Sequence, residues 1–502
     1  MTVYNMNLGI GWASSGVEYA QLYRSKIFQQ LNIDAKFIFT DFISYDNICD
    51  LTDNMGFDRK DVIWLYSYFT DFSIEPTTVT IEDIVSHYSK PIVRRERTNR
   101  FIKCFEEGGD YFVAYLKSRN NSRDIIHRVE YVSDGLLVRK DFFTSARIFS
   151  EYYYPKDGKI NLYLRRFFNK DNTVAYEEIV RDGRSSFKFP NGFSYSKEQL
   201  VERFMHSLRL KASDIFILDR ATGIGQSVFK SVKPAKLGVV IHAEHYNVSL
   251  TTEDNILWNN YYEYQFTNVD KIDFLVTSTE KQKELLEQQF QHYQSRQPYI
   301  VTIPVGSIDR LQIPDFPRKP YSLITASRLA GEKHIDYLVK AVVKAKEVLP
   351  LLSFDIYGAG GEEGRLRQMI QNLGAEDYIK LCGHQNLELI YKKYDAYLAA
   401  SKSEGFGLTL LEAIGSGLPI VGFNAPYGNQ TFIRENKNGY LLELSDDEEL
   451  IVKNFSMTII RLFKEGTMKA KHDCSYQIAE KFLTSEVITK WTKLIKEMET
   501  ND

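Results

Sequence analysis

The chain has 502 residues, 43% hydrophobic and 26% charged, with 63 Lys and Arg against 66 Asp and Glu and a formal net charge of -3. That length implies two or three domains, and the near-neutral balance excludes wholesale attraction to nucleic acid. No stretch reaches the length of a membrane span, no charged and apolar leader precedes the first strand, and Cys49, Cys104, Cys382 and Cys474 lack the paired spacing of a disulfide framework or zinc site, so a cytoplasmic protein is expected.

Val3 to Leu8 reads as a strand, Gly9 to Gly16 as a turn, and Val17 onward as a helix with apolar residues at 17, 20, 27, 28 and 31, followed by a strand at Lys36 to Thr40. The glycines run G-x-G-x-x-x-x-G, which misses the dinucleotide fingerprint G-x-G-x-x-G. A plain tight turn and the lip of a substrate cleft both fit, and the cleft is the preferred expectation.

Between about Asp46 and Tyr195 the β/α alternation stops. Short strands at Tyr111 to Leu116, Arg128 to Val132, Leu136 to Phe143, Arg147 to Tyr153, Lys159 to Phe168 and Thr173 to Val180 are divided by Asp134-Gly135, Asp157-Gly158 and Asp182-Gly183, with Asn191-Gly192 beyond them. This predicts an inserted antiparallel meander. Its aromatic face must be covered, by the parent domain or, as the preferred expectation, by a partner protein. Arg94, Arg95, Arg97, Arg100 and Lys103 read as a solvated loop.

Ser196 and Gln199 form a capping-box pattern that starts a helix through Leu208. Strands follow at Ile215 to Leu218, Leu237 to Ile241, Phe274 to Thr277 and Tyr299 to Ile303. His242 stands at the carboxyl end of its strand, where ligands bind in open α/β sheets, although a lone histidine is as readily structural.

Pro304-Val305-Gly306 reads as an interdomain linker, and a second β/α series begins after Pro320. Its strands end in loops at Ser327 to Lys333, Gly358 to Gly361, Cys382 to Gln385, Ser401 to Gly407 and Asn424 to Gly428, all expected on one edge of one sheet. In Ser401 to Pro419, Glu404 precedes Gly405-Phe406-Gly407 and a helix that carries Glu412. Glycines let backbone approach a ligand, and a helix's first N–H groups favour an anion. A sugar diphosphate suits this stretch; ordinary helix-end charge is the competing explanation. Ser485 to Met498 is an amphipathic helix expected to pack back on the first half.

On A-S-R-L-A-G-E-K (with Arg328 and Lys333), D-I-Y-G-A-G (Asp355 to Gly360), G-H-Q (Gly383 to Gln385) and S-E-G-F-G-L-T-L-L-E-A (Ser403 to Ala413), the C-terminal half resembles the family-4 retaining glycosyltransferases of GT-B fold. LGIGWASSGVEYAQ, the meander, ILDRATGIGQ, VVIHAEHY, ILWNNYYEYQFTN and PYGNQTFI extend the resemblance over nearly the whole chain. It points to the catalytic-subunit family of the protein O-GlcNAc transferases linked to accessory secretion in Gram-positive bacteria. The resemblance implies an α/β GT-B fold, with two Rossmann-like domains facing across a cleft and the meander inserted in the first. The expected division is 1–45 and 196–316 for the N-terminal domain, 46–195 for the meander, 317–484 for the nucleotide-sugar domain and 485–502 for the returning helix.

The activity implied is transfer of N-acetylglucosamine from UDP-GlcNAc to Ser and Thr of serine-rich repeat adhesins, in a complex with a related, catalytically silent, chaperone-like partner. The residues themselves leave glucose open as the donor sugar. Residue by residue, the family implies that Gly16, Val17, Glu18 and Tyr19 line the UDP and acceptor side, and that His242 lies against the sugar. It puts Arg328 and Lys333 on the pyrophosphate, and His384 and Gln385 at the uracil. Glu404, Gly405, Phe406 and Gly407 surround the sugar and β-phosphate, and Glu412 holds the ribose. Arg offers a planar fork and Lys a compact charge, both suited to a leaving diphosphate. No Asp-x-Asp triplet occurs, so no metal and no cofactor beyond the donor is expected, and membrane association is expected only through the complex. Two competing readings are a wall teichoic acid transferase, whose acceptor would be a polyol phosphate, and a silent acceptor-binding chaperone. The latter would be expected to have lost Arg328, Lys333, Glu404 or Glu412.

Overall fold

The structure, a computed structural model, describes residues 1–12, 15–117, 124–156 and 158–500. The chain divides into two compact units, Met1–Gly238 and Val239–Asp502. Segment 239–316, expected with the N-terminal domain, falls in the second unit by this division. Within that unit Ile308 N–H donates to the Phe482 carbonyl (3.1 Å) and Thr484 N–H to that of Ile308 (2.9 Å). The final helix, Thr484–Thr500, adds Lys490 Nζ on the Thr302 carbonyl (3.1 Å).

In the first unit, Thr2–Asn7 pairs in parallel with Ile215–Leu218 on one side and Asp34–Phe39 on the other. Val62–Trp64 pairs in parallel with Asp34–Phe39, so parallel order continues past Tyr45. The helix Gly16–Gln30 makes the crossover that parallel neighbours need.

Ten antiparallel strands run from Ile92–Arg97 to Gly192–Ser194, each paired with the next in sequence. At Asp134-Gly135 and Asp182-Gly183 both residues have positive φ (50° and 75°, 51° and 73°), the type I′ geometry whose twist suits a hairpin. Asp157 lies outside the described residues. Of the basic cluster, Arg100 lies in a loop as expected, but Arg94, Arg95 and Arg97 belong to the edge strand Ile92–Arg97, exposed from Val93 on, and Lys103 to the next strand, Phe101–Glu106. Consecutive charges hide the two-residue period in the sequence, yet charge is what keeps an edge strand from pairing with other chains.

The aromatic face is covered within its own unit. Phe149, Phe167, Tyr176 and Phe189 pack against Phe42, Tyr66 and Phe69, with ring centroids 5.1 Å apart for Phe42 and Phe149 and 5.0 Å for Phe69 and Phe189. Tyr176 O–H donates to the Tyr66 carbonyl (2.7 Å). The helix Ile81–Ser86 covers Ile102, Cys104 and Phe112. The preferred expectation of a partner on this face gives way to packing on the parent domain.

The second unit holds a six-stranded parallel sheet in the order Ile379–Gly383, Ser353–Tyr357, Ser322–Ala326, Ala396–Ala399, Ile420–Phe423, Gly439–Leu442. Three of these strands, Ser322–Ala326, Ala396–Ala399 and Ile420–Phe423, are buried at every residue, as a sheet covered on both faces requires. The order reverses between Ser322–Ala326 and Ala396–Ala399. That reversal is a topological switch point, where α/β sheets open a crevice beyond the strands' carboxyl ends.

Candidate active site

The loops at Ser327 to His334 and Ala400 to Gly407 leave the two strands that flank the switch point, and their side chains meet. Lys333 Nζ donates to Glu404 Oε2 at 2.9 Å, with both side chains about three-quarters buried. Arg328 is exposed and pairs with Glu332 one turn away. The helix Leu408–Gly415 begins at Gly407 with no side-chain cap, and Gly407 has φ +85°, a conformation that favours glycine. First-turn N–H groups without a capping side chain are a natural seat for phosphate.

Three other glycines are fixed by close contacts. A Cβ at Gly405 would sit 2.6 Å from the His242 carbonyl oxygen, so Gly405 brings the Glu404 loop against the His242 loop. Cβ atoms at Gly358 and Gly360 would sit 1.8 Å from the Ser327 oxygen and 2.3 Å from the Leu329 oxygen. The glycines after Tyr357 thus serve the seating of one loop on another, and Leu329 N–H donates to the Ala359 carbonyl (3.0 Å).

Glu412 lies one helical turn past Gly407. Tyr391 O–H donates to its Oε2 (3.1 Å), and burial pushes its carboxyl up to about 7. Arg318, half-buried, donates Nη1 to the carbonyls of Lys392 (3.1 Å) and Tyr394 (2.8 Å) and Nη2 to that of Ser416 (2.7 Å). It thereby ties together the two elements that carry Tyr391 and Glu412. His384 and Gln385 are exposed on the next loop, with Gln385 Nε2 donating to the Cys382 carbonyl (2.9 Å). Phe406 is turned inward onto Phe432 and Phe482 (5.2 and 6.1 Å), so only its backbone is available to a sugar or phosphate.

His242 is half-buried, and its loop is held firmly. Tyr262 Oη accepts from the backbone N–H groups of His242 (2.9 Å) and Ala243 (3.0 Å), and Gln282 Nε2 donates to the Ala243 carbonyl (2.9 Å). Glu244 beside it is raised by burial, a shift opposed by a hydrogen bond from Ser403.

In the first unit, Ser15 caps the helix Gly16–Gln30 and Glu18 closes the capping box, its Oε2 accepting from Ser15 N–H (2.6 Å). Glu18 Oε1 accepts from Asn7 Nδ2 (3.0 Å) and Arg220 Nη1 (2.8 Å), and the residue is only 3% exposed. The Glu18 carboxylate is therefore committed inside the unit. Gly16 opens on free space, with nothing within 4 Å of where a Cβ would lie, and Tyr19 is exposed. Sequence reasoning missed Arg220, Tyr391 and Arg318. ILDRATG carried the first as a charge just past a strand, whereas nothing local marks the other two.

Among the described residues no group of three or more His, Cys, Asp or Glu is arranged to hold a metal ion, and no helix is long and apolar enough to cross a membrane.

Residues 94–191 match the family model for the GtfA extended beta-sheet domain, and residues 309–478 that for glycosyl transferases group 1. The chain is 53% identical over 99% of its own length and 99% of the relative's to the UDP-N-acetylglucosamine--peptide N-acetylglucosaminyltransferase GtfA subunit of Streptococcus gordonii. It superposes with a TM-score of 0.94 on the crystal structure of the pneumococcal O-GlcNAc transferase GtfA in complex with UDP and GlcNAc, at 52% identity over 100% of this chain and 99% of that one. The GtfA/B complex structure gives the same TM-score and identity over 100% of both chains. This chain belongs to the family of GtfA subunits, glycosyltransferases of GT-B-like architecture.

Proposed function

We propose that this chain transfers N-acetylglucosamine from UDP-GlcNAc to Ser and Thr hydroxyls of a polypeptide, with retention at the sugar carbon, as the catalytic subunit of a complex with a GtfB-like partner. The observation that carries it is the Lys333 to Glu404 pair beside the uncapped start of Leu408–Gly415, at the switch point. The full-length identity to peptide-modifying relatives favours a polypeptide over a polyol phosphate.

In this reading the β-phosphate occupies the helix start, with Lys333 and Arg328 opposing the charge that grows as the C1–oxygen bond to the diphosphate breaks. The acceptor oxygen bonds to C1 on the same face, and its proton passes to the departing β-phosphate oxygen. Glu404 accepts from sugar hydroxyls, with His242 on the opposite side of the sugar and Glu412 on the ribose. Gly16 to Tyr19 line the UDP and acceptor side through backbone and the exposed Tyr19. His384 and Gln385 sit at the uracil. The two cations take the place of a metal, so transfer is expected to persist in chelator. The acceptors we assign are serine-rich repeat adhesins, the setting is the cytoplasm with membrane contact only through the complex, and the antiparallel sheet serves partner and acceptor binding on the surface that does not pack on its parent domain.

The test is a donor and acceptor panel with the full chain and its partner, read by mass spectrometry. Peptide-linked N-acetylhexosamine from UDP-GlcNAc, undiminished by EDTA, supports the proposal. Transfer to poly(ribitol phosphate) and none to peptide would replace it, and donor binding without any transfer would reduce the chain to a binding subunit.

A further inference from the structure

Of two sequence motifs, HAEHY after the strand Lys236–Ile241 and PYGNQ after Ile420–Phe423, the mechanism uses only His242, and the second unit joins them through one buried pair. His245 is fully buried; its Nε2 lies 2.6 Å from Gln289 Oε1, and its Nδ1 lies 3.2 Å from Tyr427 Oη. An amide oxygen on Nε2 requires the proton there, which leaves Nδ1 as acceptor for the Tyr427 O–H. The two rings also stack, with centroids 5.7 Å apart and planes at 20°. Burial holds the imidazole down to about 4, so this tautomer persists at neutral pH.

Tyr427 is buried as well, and its backbone leads straight to the carboxylate that faces Lys333. Tyr427 N–H donates to the Glu404 carbonyl at 2.9 Å and Gly428 N–H to the same oxygen at 2.8 Å. A Cβ at Gly428 would sit 2.1 Å from the Phe406 oxygen, so this turn lies directly against the Glu404 loop. At the other end, His245 is three residues from His242, whose carbonyl touches Gly405.

We propose that His245 and Tyr427 are positioning residues: a buried strut, anchored on Gln289, that fixes the spacing between the His242 loop and the Glu404 loop. The strut touches neither donor nor acceptor. It sets where the sugar-contacting groups stand, and small displacements of such groups are costly to the chemical step. The catalytic consequence rests on the reading under Proposed function; the geometric one does not.

Hydrogen exchange on the full chain, measured by mass spectrometry, reads the strut itself. In Tyr427→Phe, faster exchange confined to the segments around 242–244 and 404–407 is expected, and unchanged exchange there would overturn the proposal. Transfer kinetics with the partner read its consequence. Tyr427→Phe is expected to lower kcat about tenfold, equal to about 1.4 kcal/mol, while the KM for UDP-GlcNAc stays within twofold. His245→Asn, whose amide oxygen replaces Nδ1 as acceptor, should retain most of kcat, whereas His245→Ala should lose as much as Tyr427→Phe, with the double variant no worse than either single one. Loosened loops with unchanged kcat would overturn the positioning role, as would equal losses in kcat and donor affinity. Absence of transfer by the unaltered complex would count against the functional reading alone, with exchange still deciding the strut.

Discussion

After the strand Thr2–Asn7 comes the helix Gly16–Gln30, whose start is closed: Ser15 caps it, and Glu18 bonds back to Ser15 while also bound by Asn7 and Arg220. At residues 401–412 the same local plan leads into Leu408–Gly415, whose start is open, with Gly407 in place of a capping side chain and Glu404 reaching across to Lys333 on another loop. Both elbows carry an acid and glycines near a helix start. The first acid satisfies its own helix; the second leaves its helix uncapped, and under the proposed function those free N–H groups meet the phosphate and that carboxylate the sugar. Capping, more than the presence of glycine or glutamate, separates the closed elbow from the open one.

The sharpest way to break the comparison is at the open elbow. Lys333→Ala should lower kcat by about 10²–10³, the usual cost of removing one group that opposes developing charge. Gly405→Ala comes next: a methyl group 2.6 Å from the His242 oxygen must part the two loops, and a displacement of that size costs about 10²-fold in kcat. Steady-state kinetics on folded complex check both, and wild-type turnover in either would remove the loop contact from the mechanism.

Glu412 supplies a pH test. Its carboxyl is raised to about 7 by burial, above its ordinary value of 4.5. The folded state therefore holds that proton longer than the unfolded chain does, and the carboxyl's contribution to stability falls as pH rises from about 4.5 toward 7. A ribose donating to the carboxylate favours the ionised form, so UDP-GlcNAc affinity should rise up to about tenfold between pH 6 and 8. Calorimetry on Glu412→Gln should find that dependence flattened. The smallest effect on rate belongs to the closed elbow. Glu18→Ala should cost about 1–2 kcal/mol of stability, since it opens the cap and leaves Arg220 with Ser15 Oγ but without its carboxylate, and lower Tm by a few degrees.

Much of this was legible because strand and loop residues announce themselves. Buried parallel strands read as short apolar runs, and glycine-rich loops followed them, so the ligand edge of the second sheet and the pairing of Glu404 with a cation loop were within reach. What escaped depended on three-dimensional partners. Glu18 and Glu404 look alike until Arg220 and Lys333 are placed. Phe406 sits in a motif of small and acidic residues, yet its ring belongs to the core with Phe432 and Phe482. The glycines after Tyr357 were expected only as one of the loops on the ligand edge, and their close contacts show that they seat one loop on another. The run Arg94 to Arg97 lacked alternation because an edge strand needs charge more than an apolar face.

The account's central claim is tested most directly by comparing Glu404→Gln with Glu18→Gln in the same complex. The measurement is the initial rate of N-acetylglucosamine transfer from UDP-GlcNAc to a Ser-rich polypeptide per folded molecule. The account predicts a loss of at least about 10²-fold for Glu404→Gln, with UDP still bound. For Glu18→Gln it predicts a near wild-type rate from a less stable protein. Equal losses in the two variants, or undiminished transfer by Glu404→Gln, would contradict it.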